Sequence, residues 1–96
     1  MNNSYRISVV ETHPQQNEHT QEVMLFDTTL HDSLTELLPK VSAGLGLSAE
    51  KSQAFLLGLK LLGEVIMTER SHPTMRELAP HFRAMMQVVK PKRPMR

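Results

Sequence analysis

Ala54-Phe55-Leu56-Leu57-Gly58-Leu59-Lys60-Leu61-Leu62-Gly63-Glu64-Val65-Ile66-Met67 is the stretch on which the reading of this chain turns. Ten of its fourteen residues are apolar. On a helix of 100° per residue, Lys60 and Glu64 fall within about 20° of Gln53, so the polar residues form one narrow stripe. The rest of the circumference is apolar. A helix of this kind has to be surrounded, by the rest of its own chain or by a second copy. Ser48 is placed to cap it, and Glu50 puts a negative charge in the first turn, where the helix dipole favours one. The helix is expected over residues 49–70. Gly58 and Gly63 each lower helix propensity by about 1 kcal/mol relative to alanine, a cost that a close-approaching backbone would explain.

Toward the N-terminus, Leu34, Leu37, Leu38 and Val41 recur on one helix face, with Asp32 or Ser33 as the cap. Pro39 lies inside this pattern and predicts a kink, and Gly44 and Gly46 predict its end. Glu22-Val23-Met24-Leu25-Phe26-Asp27 reads as a strand whose four consecutive apolar residues predict cover on both faces. Tyr5 to Glu11 reads as a strand with Tyr5, Ile7 and Val9 on one face. The polar segment His13 to His19 contains Pro14 and is short enough to join the two strands as an antiparallel hairpin.

Toward the C-terminus, Ser71-His72-Pro73-Thr74 is a break, with proline suited to a first helical position. Met75, Leu78, Phe82, Met85 or Met86, and Val89 trace one face of a third helix, interrupted by Pro80. The segregated order of strand, strand, helix, helix, helix predicts an α+β fold, ββααα. Residues 1–90 are expected to form a single domain. Residues 91–96, together with Lys90, carry Lys92, Arg93 and Arg96 as a flexible basic tail.

Composition bounds the function. The chain has 96 residues, 40% hydrophobic and 22% charged, which suits one ordinary globular domain. With no cysteine there is no disulfide scaffold, thiol nucleophile or Cys-based zinc site. The opening lacks a secretory pattern, and no apolar run reaches the ~18–20 residues of a membrane span, so a cytoplasmic location is expected. The net charge of +1 conceals an asymmetry. Residues 1–50 hold two basic against seven acidic side chains, and residues 51–96 hold nine against three. An acidic half and a basic half can attract each other within one chain or between two, or the basic half can meet an acidic partner.

Candidate chemistry is sparse. His13 and His19 share a loop with Glu11 and Glu18, but six residues of spacing with no cysteine or HExxH frame matches no strong metal pattern. Ser33, Ser42, Ser48, Ser52 and Ser71 sit where caps and turns explain them, and no nucleophile elbow or phosphate-binding glycine loop occurs. No enzyme activity, cofactor or metal is therefore expected. Of the seven methionines, five lie past residue 66 and suit either core filling or an adaptable binding surface.

The segment Val23 to Leu59 resembles a ribbon-helix-helix protein. It has a strand at Val23–Asp27, a first helix, the turn Gly46-Leu47-Ser48, and a second helix. That resemblance implies an intertwined dimer that reads DNA with its strands. Here, however, Glu22 and Asp27 make the strand ends acidic. A second resemblance covers most of the chain. The Tyr5-Arg6-Ile7 strand, the run Gly58-Leu59-Lys60-Leu61-Leu62-Gly63-Glu64-Val65, His72-Pro73, and a last helix with Phe82, Met85, Met86 and Lys90 are similar to the small bacterial family catalogued as domain of unknown function 3861. The resemblance implies an α+β fold with no established activity, and it transfers no functional residue.

The expectation is a non-catalytic, self-associating protein-interaction module, a homodimer whose interface draws on Phe55, Leu59, Leu62, Ile66, Phe82 and Met86. The alternative is a ribbon-helix-helix-like DNA-binding regulator, or an accessory nucleic-acid binder, that uses Lys90, Lys92, Arg93 and Arg96.

Overall fold

Two strands open the chain and three helices follow, in the order ββααα. The computed structural model describes residues 2–12 and 20–89. The basic residues Lys90, Lys92, Arg93 and Arg96, and His13 and His19, lie outside the described residues. The chain divides into two compact units, residues 1–32 and 33–96.

The first unit is a β-hairpin. Strand β1 (Asn3–Thr12) pairs antiparallel with β2 (Thr20–Leu30). Both strands are longer than the apolar alternation alone marks out, because threonines and serines, which suit extended backbone, continue the ladder at each end. Tyr5 lies opposite Thr28, Ile7 opposite Phe26 and Val9 opposite Met24. Residues directly opposite each other project to the same face, so these pairs form one apolar face, as the alternation in β1 predicts. The opposite face holds the pairs Arg6–Asp27 and Ser8–Leu25. Beyond Val9 the register slips, and Val10 lies opposite Glu22. Val23 is then the extra residue of a β-bulge, which strengthens the local twist.

The second unit is helical. Ser33 caps α1 (Leu34–Leu45), its Oγ accepting from the Glu36 N–H at 3.3 Å. Pro39 is accommodated within α1, and Gly44 lies inside the helix, so only Gly46 ends it. Gly46 has φ 68°, the left-handed conformation that glycine adopts without a Cβ penalty. Ser48 caps α2 (Ala49–Thr68) through a bond from the Lys51 N–H at 3.2 Å. His72 precedes α3 (Pro73–Val89). Its Nδ1 accepts from the Thr74 N–H at 3.2 Å, and its carbonyl accepts from the Arg76 N–H at 2.8 Å. Proline at the first position of α3 removes a donor that would have no partner there.

Helix α2 packs against α1 and against α3. Its buried residues are Ser52, Leu56, Leu59, Gly63 and Ile66, a single stripe at alternating spacings of four and three. The fully buried Ser52 donates its hydroxyl to the Leu47 carbonyl at 3.4 Å, and Ser42 donates to the same oxygen at 3.5 Å. The turn between α1 and α2 is thereby tied to both helices.

Candidate interaction surface

The apolar face of the hairpin is buried at one end and open at the other. Leu30 is 2% exposed, Phe26 41% and Met24 57%. Val9, opposite Met24, is 41% exposed. On the other face Leu25 is 57% exposed, and Val10 and Val23 are also exposed. The sequence pattern of Val23 to Phe26 predicts cover on both faces, and among the described residues these side chains stay exposed on a sheet of two strands. Six large apolar side chains therefore meet water around the distal half of one hairpin. They stand on both faces of the hairpin, Val9, Met24 and Phe26 on one and Leu25 and Val10 on the other.

The polar residues of the hairpin pair locally. Arg6 forks onto Asp27, Nε to Oδ1 at 2.9 Å and Nη2 to Oδ2 at 3.3 Å. The carboxylate raises the arginine's already high pKa. Ser8 donates to Glu22 at 2.6 Å across the strands. No basic side chain stands on β2, which carries Glu22 and Asp27.

The helical unit carries a groove of about 740 Å³ along the C-terminal end of α2 and most of α3. Ile66, Met67, Met75, Phe82 and Met86 form its apolar lining, and Arg70, Arg76 and Arg83 stand on it. Among the described residues no carboxylate lines this groove. Two of the arginines hold backbone oxygens, Arg70 Nε that of Met67 at 3.1 Å and Arg76 Nη2 that of Ser71 at 3.4 Å. All three are exposed. The residues expected at an interface thus separate. Leu59 and Ile66 are buried within the chain, each 6% exposed. Phe55, Phe82 and Met86 are half-buried, and Leu62 is exposed. Phe82 and Met86 line the groove, while the other residue on α2 that helps form it and is exposed is Met67. Spacing on one helix could not locate the groove, because α3 supplies most of it.

The charge divides where the structure divides. Residues 1–32 hold one arginine against five carboxylates, net −4, and residues 33–96 hold ten basic against five acidic side chains, net +5. Among the described residues no group of three or more His, Asp or Glu is placed to hold a metal ion. Nor is any described helix long and apolar enough to cross a membrane.

Residues 3–91 match DUF3861, described as a domain of unknown function with a solved structure. The chain belongs to this family. It is also similar to a protein of unknown function from Pectobacterium atrosepticum, known from a crystal structure at 2.20 Å resolution. The two are 41% identical with a TM-score of 0.78, over 94% of this chain and 98% of the other. No curated protein matches the chain. The strand, helix and His-Pro features quoted from the sequence therefore mark a real DUF3861 relationship. The expected α+β order is the observed one.

Proposed function

We propose that this DUF3861 protein is a non-catalytic interaction module that works as a homodimer. One observation carries the reading: Val9, Val10, Val23, Met24, Leu25 and Phe26 are each at least 41% exposed on one hairpin. An isolated two-stranded hairpin is marginal in water, and one with apolar residues open on both faces gains from being covered. A second copy is always present at the protein's own concentration and supplies a symmetric cover. Self-association also suits a chain whose two units carry net charges of opposite sign.

The test is molar mass by light scattering at low and moderate salt. A chain of 10.9 kDa predicts a dimer of 21.8 kDa, twice that value. Phe26→Glu places a charge in the exposed apolar face and is expected to return the mass to that of one chain, with the helical circular dichroism retained. A wild-type protein that stays at 10.9 kDa up to high micromolar concentration sinks the reading.

A further inference from the structure

We infer that the arginine-flanked groove of α2 and α3 is the seat for the apolar hairpin face of a second copy, an inference that rests on the self-association proposed above. Three observations converge on this occupant. The groove is apolar inside, with Met67, Phe82 and Met86, and it carries three exposed arginines with no carboxylate among its described lining residues. Among the described residues, Arg70, Arg76 and Arg83 take part in no ion pair. An apolar segment with an acidic end is the complementary ligand.

The hairpin of this chain has that composition. Its apolar face runs through the pairs Ile7–Phe26 and Val9–Met24, and the next pair on the same face is Glu11–Gln21. The exposed Val9, Met24 and Phe26 of this face, with the half-buried Ile7, are thus followed by a carboxylate. Arg76 and Arg83 stand seven residues apart on α3, two helical turns, which places about 10 Å between them along the axis. Adjacent pairs on one face of a hairpin are about 7 Å apart, so the stretch from Ile7 to Glu11 spans about 13 Å. The two lengths allow Glu11 to reach an arginine while Val9, Met24 and Phe26 lie over the methionines and Phe82. Methionine suits such a floor, because its unbranched, polarizable side chain adapts to the shape laid on it. In a two-fold dimer each copy gives its hairpin and receives the other's, so the contact forms twice and the net −4 and +5 units are matched both times.

The experiment is a dilution series on the full chain, followed by light scattering, for four proteins. Wild type is expected to dimerise more weakly as salt rises. Arg76→Glu with Arg83→Glu is expected to raise the dimer Kd roughly tenfold or more, because it sets like charges opposite each other. Glu11→Arg is expected to weaken the dimer in the same direction. Combining all three substitutions reverses both partners of the contact and is expected to recover most of the affinity. Recovery cannot arise from generally damaged folding, which three substitutions would only worsen. If the arginine variants dimerise like wild type while Phe26→Glu does not, the groove is not the seat, and self-association stands without it. Weakening by the arginine variants without recovery in the triple variant also overturns the pairing with Glu11. A monomeric wild type removes both proposals.

Discussion

A Cβ built on Gly63 of α2 would lie 2.9 Å from Cζ of Phe82 on α3. That distance is shorter than carbon atoms tolerate, so the absence of a side chain at Gly63 is what lets the Phe82 ring lie against α2. Gly58, one and a half turns earlier, has no described residue beyond its own helix backbone and chain neighbours within 4 Å of the same position. The two glycines therefore make different predictions. Gly58→Ala is expected to raise stability by about 1 kcal/mol through helix propensity alone. Gly63→Ala gains the same propensity but overpacks against the ring at about 1–3 kcal/mol, which leaves no gain or a loss of up to about 2 kcal/mol. Thermal unfolding at fixed protein concentration separates them, at roughly 4–8 °C per kcal/mol for a domain of this size. Equal shifts for the two variants would mean that the Phe82 ring does not lie on α2.

Leu59 and Leu62 differ in exposure, 6% against 44%, although they are near neighbours in one apolar run. Leu59→Ala empties a buried site and is expected to cost about 2–5 kcal/mol. Leu62→Ala is expected to change the stability of the isolated chain by less than about 1 kcal/mol. Any larger effect at Leu62 has to fade on dilution, because it would come from association rather than from folding. Chemical denaturation at two protein concentrations makes the distinction. A large, concentration-independent loss at Leu62 would contradict the single buried stripe.

The turn between α1 and α2 rests on two short-range devices. Gly46 holds φ 68° and Ser48 caps α2 through Lys51. Ser48→Ala is expected to cost about 1 kcal/mol, as N-cap losses do. Gly46→Ala forces an L side chain into the left-handed region at about 1–2 kcal/mol, and Gly46→Asn should recover part of that. Denaturant midpoints for the three variants test the order wild type, then Asn, then Ala at position 46.

How much of this was readable beforehand follows from the range of the forces involved. The caps at Ser33 and Ser48, the stop at Gly46 and the start at Pro73 are local, and the residues that make them are adjacent in the chain. The pairing of Tyr5, Ile7 and Val9 on one face follows from the two-residue period of a strand. Which apolar residues of α2 are covered was not readable, because nearly every position there is apolar and no period stands out. Burial is decided by where α1 and α3 lie, and so Leu59 and Leu62 look alike in the sequence. The bulge at Val23 and the groove around Phe82 depend on register and on helix packing, and neither leaves a mark in a single segment.

Arg6 and Asp27 form an ion pair on the hairpin, with Nε to Oδ1 at 2.9 Å, and their side chains are 73% and 67% exposed. Geometry and exposure point in opposite directions here. The two-pronged contact is well formed, as guanidinium and carboxylate allow. Water nevertheless solvates both charges when they separate, so little is gained by bringing them together. The exposure decides the expectation. Asp27→Asn leaves a neutral partner of the same shape and is expected to leave the unfolding temperature unchanged within measurement, at low and at moderate salt. Phe26, the next residue along β2, projects to the other face, opposite Ile7. Phe26→Glu is expected to shift the association equilibrium strongly, whereas Asp27→Asn is not. Light scattering on the two variants side by side checks this. If the mass fell for Asp27→Asn and not for Phe26→Glu, the polar face of the hairpin would be the one that is covered.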